Sequence, residues 1–185
     1  MKLHNLYPFA RGYNFIYEET ESFCVGVVIL KKGEHYEVDF VGNIMFAVLH
    51  GTVCVNGDKT RYTVNEIYDD GCVHDQDTVL TLRAISNCEV LLVTTKPSFC
   101  PSIQMHDIDA GTWHLQSDTS DQKTILFFRF YPTNGYALIR AAESAAMVCH
   151  NDAVVISAKM GYSFVSAPAY YCKVFCVGGC FAPTL

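Results

Sequence analysis

Lys123 to Ile139 reads KTILFFRFYPTNGYALI, and this stretch decides the fold. Seven residues rich in aromatic and aliphatic side chains, Ile125 to Tyr131, suit a pleated strand. Pro132 stops the run because it has no N–H for a ladder, and Asn134-Gly135 is a hairpin candidate before the apolar pattern resumes. The same rhythm recurs on both sides. Phe23 to Leu30 reads as a buried strand ended by Lys31-Lys32-Gly33. His35 to Phe40 alternates, with Val38 and Phe40 on one face and Glu37 and Asp39 on the other. Ile44 to Val55 is one long strand interrupted near His50-Gly51, and Asn56-Gly57 supplies a hairpin turn. Val79 to Ile85 and Glu89 to Thr95 form a strand pair around Ser86-Asn87. Ala153 to Ser157, Phe164 to Ser166 and Tyr170 to Val177 add further strands. Ala137 to Met147 is rich in alanine, a helix-favouring composition, yet it sits inside the strand pattern. The expected class is all-β.

The chain has 185 residues, of which 50% are apolar and 17% charged. So little charge for so much core points to a homo-oligomer. The formal charge is −6, and no basic run exceeds Lys31-Lys32. Nucleic acid is therefore an unsuitable partner, because phosphate binding needs concentrated positive charge. The longest apolar run is too short to span a bilayer, and no apolar leader follows Met1. A cytoplasmic location is expected, with no membrane partner. Nine cysteines, an odd number, read as reduced thiols. Cys172, Cys176 and Cys180 are four residues apart, about 13 Å per step along a strand. That separation is too wide to converge on one zinc ion, so small core residues are the simpler reading.

KPSFCPS, from Lys96 to Ser102, carries two prolines, each of which removes a ladder donor, and is the best linker, so the domains expected are 1–98 and 99–185. The order GTW (Gly111 to Trp113), KTILFFRFYPTNGYALI and NDAVVISAKMGYSFVSAPAYYCKVFCVGG (Asn151 to Gly179) resembles the second barrel of the 5-deoxyglucuronate isomerase family. In the first half, LKKGEHYEVDF, IMFAVLHGTVCVNG and AISNCEVLLVTTKP follow the order of that family's first barrel. The resemblance implies two cupin-like barrels and aldose–ketose isomerisation of a small sugar acid. It also implies where a metal would be held: a His-x-His after the tryptophan, a Glu opening the aromatic strand, and a His after the late Gly-Tyr. The corresponding residues here are Thr119 and Asp121, Thr124, and Ser163. No metal and no other cofactor is therefore expected.

Candidate chemistry then rests on other groups. His35 and His50 titrate near neutral pH and suit acid–base roles. Glu37 falls, with Asp39, where general cupin patterns place a His-x-His pair. His50, His35 and Glu37 are the catalytic candidates. Arg129, which can grip a carboxylate with two hydrogen bonds, Tyr131 and Trp113, which can stack on a sugar ring, and Asp39 are the substrate-binding candidates. Phe127, Arg129 and Tyr131 share one strand face and are taken as the interior set, against Leu126, Phe128 and Phe130. Two functions stay open: a sugar-acid isomerase whose polar groups converge in one interior, and a non-catalytic sensing or assembly module whose interiors are filled by apolar side chains.

Overall fold

A computed structural model describes residues 1–4, 9–19, 23–74, 79–116 and 123–181. They form β1 (Lys2–His4), β2 (Gly12–Glu19), β3 (Phe23–Leu30), β4 (His35–Val38), β5 (Gly42–His50), β6 (Thr52–Val55), β7 (Arg61–Thr63), β8 (Ile67–His74) and β9 (Leu80–Ala84). They continue with β10 (Cys88–Thr95), β11 (Phe99–Ile108), β12 (Trp113–Gln116), β13 (Thr124–Tyr131), β14 (Tyr136–Ala141), β15 (Ser144–Cys149), β16 (Ala153–Ile156), β17 (Tyr162–Ser166) and β18 (Tyr171–Phe181). Among the described residues there is no helix, so the all-β class holds.

The chain divides into two compact units. The N-terminal unit contains 8–103 and 181–185, and the C-terminal unit contains 1–7 and 104–180. The expected boundary after residue 98 differs from this in two ways. β1 pairs with β16, Lys2 opposite Val155, so the first residues belong to the later unit. The stretch expected as a linker is instead mostly strand: only Lys96 to Ser98 form an exposed turn before β11 begins at Phe99, whose buried ring stacks on Phe23 at 5.4 Å. Pro101 is accommodated there because β11 is an edge strand, where a missing N–H costs no ladder bond.

Each unit has a five-stranded and a four-stranded sheet. In the N-terminal unit the orders are β2-β3-β10-β5-β8 and β4-β9-β6-β7. In the C-terminal unit they are β1-β16-β13-β18-β11 and β12-β17-β14-β15. Adding eight to each strand number turns β4-β9-β6-β7 into β12-β17-β14-β15, and β3-β10-β5-β8 into β11-β18-β13-β16. The topology is thus repeated although the sequence is not. Consecutive strands often change sheets, and this corrects two expectations. β9 and β10 do not pair with each other, since β9 joins β4 and β6 while β10 joins β3 and β5. Likewise the turn at Asn134-Gly135 is no hairpin: β13 pairs with β16 and β18, and β14 with β15 and β17. The alanine-rich 137–147 is strand. Ala137, Ile139 and Ala141 are buried in alternation, and a two-residue turn, with Ala142 at φ 50°, returns the chain as β15.

The core of the N-terminal unit gathers Val28, Leu30, Ile44, Phe46, Val48, Val53, Leu80, Leu82, Val90 and Leu92 from both of its sheets. The core of the C-terminal unit gathers Leu126, Phe128, Phe130, Ile139, Val154, Phe164, Val174 and Cys176. The interior set of the aromatic strand is therefore Leu126, Phe128 and Phe130, and the expected choice of Phe127, Arg129 and Tyr131 is corrected. Burial of apolar surface favours the uncharged set, whereas a guanidinium among those rings would need a full set of acceptors.

Candidate functional site

The sequence candidates are dispersed. His35 and Glu37 alternate with Tyr36 and Val38 on β4, so both are exposed on the outward face while Tyr36 and Val38 pack on the core. Asp39 is exposed just beyond the strand. His50 ends β5, exposed, opposite Glu89 on β10. The other three candidates belong to the C-terminal unit. Arg129 is 6% exposed on the face of β13 away from the apolar core. Its Nη1 donates to Asn151 Oδ1 at 2.6 Å. Tyr131 lies beside Tyr171 with ring centroids 6.0 Å apart. Trp113 is 54% exposed, with Arg140 Cζ 5.8 Å from its ring centroid. Of the seven, His35 and Glu37, with Asp39 next along the chain, share one strand face in the N-terminal unit, and Arg129 and Tyr131 share another in the C-terminal unit.

Around His35 the outward face of β4-β9-β6-β7 is polar. Directly opposed residues in a sheet share a face. The register places His35 opposite Arg83, Arg83 opposite Cys54, and Cys54 opposite Arg61. The result is one row across four strands, with Arg61, Arg83 and His35 exposed and Cys54 buried among them. The next pair along β4 and β9 is Glu37 and Thr81. His35, Arg83, Thr81, Val79, Gly33, Asn56 and Gly57 line a groove of about 520 Å³. Asn56 is locked at its edge: its N–H donates to the Thr81 carbonyl at 2.8 Å, and its Oδ1 accepts from the Thr81 N–H at 2.7 Å. Positive φ at Asn56 and Gly57 makes the turn that bounds the groove. On its other side His35 borders a second recess with Arg11 and Glu34, which are hydrogen-bonded to each other.

Sequence reasoning passed over Arg83 and Thr81. The signal was present in LTLRA, where Thr81 and Arg83 alternate with the buried Leu80, Leu82 and Ala84. It also passed over a pair of imidazoles in the C-terminal unit. His106 and His114 have ring centroids 5.2 Å apart, and His114 is 4.9 Å from Phe164. Burial, and then the neighbouring His114, lower the pKa of His106, which favours its neutral form.

The donor set does not suit the metal that the sequence resemblance implies. The described counterparts are Thr124 and Ser163, hydroxyls that bind a transition metal poorly without deprotonation. Thr119 and Asp121 lie outside the described residues. No group of three or more His, Cys, Asp and Glu able to hold a metal is present among the described residues. Cys172 and Cys176 sit in the apolar core. Burial pushes the thiol of Cys172 up to about 12 and that of Cys88 up to about 11, so neither supplies a thiolate at neutral pH.

Solved structures resemble the whole chain. A cupin 2 conserved barrel domain protein from Leptotrichia buccalis shares 11% identity, with 97% of this chain and 96% of that one covered and a TM-score of 0.63. An IolB-like protein from Salmonella typhimurium shares 14%, with 98% and 93% covered and a TM-score of 0.66. An oxalate decarboxylase from Lactobacillus farciminis shares 9%, with 97% and 87% covered and a TM-score of 0.69. This chain has the cupin fold. At such identities the likeness establishes the fold alone and leaves the chemistry to the chain's own residues. No protein-family model matches it, and no curated protein matches it. Among the described residues no helix is long and apolar enough to cross a membrane.

Proposed function

We propose that this cupin binds a small sugar acid on the outward face of β4-β9-β6-β7, as a module without the metal chemistry of the 5-deoxyglucuronate isomerase family. One observation carries the reading: apolar side chains make up the core of each unit, with His114 and its neighbour His106 the imidazoles beside the C-terminal one, while His35, Arg83, Thr81 and Asn56 line an open polar groove. Arg83 offers a planar fork of donors to a carboxylate. His35, Thr81 and the Asn56 amide are placed to hydrogen-bond hydroxyls, and Glu37 adds an acceptor on the same face. The class of ligand comes from the sequence motifs shared with the isomerase family. A metal-free isomerase is the second reading, favoured by His35 and Glu37, an acid–base pair two residues apart on one strand face.

Calorimetric titration with uronic and aldonic acids tests the proposal. Saturable binding is expected, with neutral sugars far weaker. Arg83→Ala should weaken binding about 10- to 100-fold, the effect of removing a charged hydrogen-bonding partner. Absence of binding across the panel, or binding unchanged in Arg83→Ala, would sink it. Carbon NMR of the same mixtures separates the two readings: ketose formation that is lost in His35→Ala favours the isomerase.

A further inference from the structure

The four-stranded sheet of the C-terminal unit ends on an edge of unusual character. β15, SAAMVC, has six residues and no charge, proline or register break. It pairs on one side with β14 and is the last strand of β12-β17-β14-β15. Ser144, Ala145 and Met147 are exposed, Met147 at 61%. An edge strand presents a line of N–H and C=O groups, and proteins usually blunt such edges with charge, proline, a bulge or brevity. The equivalent edge of the N-terminal unit is blunted in two ways, because β7 has three residues and begins with Arg61.

A row of apolar side chains also runs up to this edge. Trp113 opposes Val165, Val165 opposes Leu138, and Leu138 opposes Met147. The row crosses all four strands on the outward face and stops at Met147, with Trp113 and Met147 the most exposed of its members.

We infer that β15 is the contact of a two-fold symmetric dimer, in which β15 of one copy pairs antiparallel with β15 of a second and the two sheets become one of eight strands. Three features favour a second copy of this chain. A two-fold axis places residues near their own counterparts, so a charged edge would repel itself, and this edge has no charge to do so. Glu143 and His150 bracket the strand, and antiparallel pairing carries the Glu143 end of one copy toward the His150 end of the other. Finally, a copy related in this way continues the Trp113–Met147 row across the junction, covering the Met147 side chains that each copy leaves open. Strand addition of this kind draws its affinity from main-chain hydrogen bonds and its register from the side chains between. The inference stands apart from sugar-acid binding, which concerns the other unit.

Sedimentation equilibrium and hydrogen exchange test it on the full chain. At tens of micromolar the mass should be at least twice the 20.7 kDa of one chain, with the amides of 144–149 protected and their protection falling on dilution. Met147→Lys and, separately, Ala145→Lys each place like charges across the junction and should halve the mass, whereas Met147→Leu should keep it. Circular dichroism on each variant verifies that the strand content is intact. Should one lysine variant unfold, the other variant and the wild-type exchange pattern decide. A single-chain mass for the wild type, an assembly that survives both lysine variants, or 144–149 amides that exchange freely in the assembly would each overturn the inference.

Discussion

The two units share an inside and differ on the outside. Strand for strand, β4-β9-β6-β7 corresponds to β12-β17-β14-β15, and both sheets turn aliphatic and aromatic side chains toward their own unit's core. Across the outward faces the rows read His35, Arg83, Cys54, Arg61 in one unit and Trp113, Val165, Leu138, Met147 in the other. The inward pattern is what this topology demands of a chain. The outward rows are free of that demand, so one can be spent on a polar groove and the other on an apolar seam.

The comparison can be broken most severely at the cores. Phe46→Ala and Phe128→Ala, one in each unit and both fully buried, should each cost about 3–5 kcal/mol in urea unfolding. A small loss in one unit alone would mean that its interior is not packed like the other's. The next test concerns the connections leading into the two four-stranded sheets. Between β5 and β6 the chain turns on Gly51, at φ 77°, where an added Cβ would collide with the Asn87 carbonyl. Between β13 and β14 it turns through 132–135, where a Cβ on Gly135 would meet the Phe130 Cβ and the Tyr170 ring at 2.9 Å. Gly51→Ala should cost about 1–3 kcal/mol, since it strains the backbone as well as the packing. Gly135→Ala should cost less, because its clashes are with side-chain atoms at 2.9 Å and its backbone, unlike that of Gly51, is not at positive φ. Melting temperatures of the two variants check the order.

A third measurement sharpens the difference in electrostatics within the C-terminal unit. Asp152 is buried, its Oδ2 accepts from the Cys149 N–H at 2.8 Å, and its Oδ1 has no partner. Burial raises its pKa above the usual carboxylate value. A raised pKa means that its contribution to stability is full below the unfolded value and is lost as pH rises through the folded one. Asp152→Asn should therefore stabilise at pH 7, by about 1 kcal/mol, with the gain shrinking toward zero near pH 4. Asp107 has the opposite sign. Burial alone would raise it, but hydrogen bonds from Lys173 and Tyr171 outweigh that and lower its pKa, so its contribution is lost on acidification. Thermal melts of Asp152→Asn and Asp107→Asn from pH 7 down to about pH 2 separate the two, because a lowered carboxylate loses its contribution only below its ordinary value of 3.8. The smallest expected effect belongs to the polar row. Arg83→Val, which installs the residue type found at the equivalent Val165, should shift stability by only about 0.5 kcal/mol while weakening the proposed sugar-acid binding about 10- to 100-fold.

How much of this was legible in the sequence depended on whether a strand had two different faces. β4 alternates, so the sides occupied by His35 and Glu37 and by Tyr36 and Val38 could be read directly. β13 is buried on both faces, with Ile125 and Phe127 as covered as Leu126 and Phe128, so alternation carried no information there. Arg129 points to the wrong side, because its guanidinium is accommodated by Asn151 rather than by a ligand in the interior. Strand positions came through well, since Gly, Asn and Pro punctuate them. Pairing did not, because Ser86-Asn87 looks locally like a hairpin turn while the partners of β9 and β10 lie tens of residues away. The groove was half visible: His35 stood out as a titratable group, but Arg83 needed its neighbour across the sheet to acquire meaning.

One detail of connectivity bears on how the molecule is made. β1 pairs with residues about 150 positions later in the chain, and the N-terminal unit is translated in between. At ordinary ribosomal speeds that interval lasts roughly 8–30 s. Residues 2–4 must therefore wait for their partner strand while a whole unit emerges and condenses beside them, which makes β1 among the last pieces to dock and a natural place for the nascent chain to go astray.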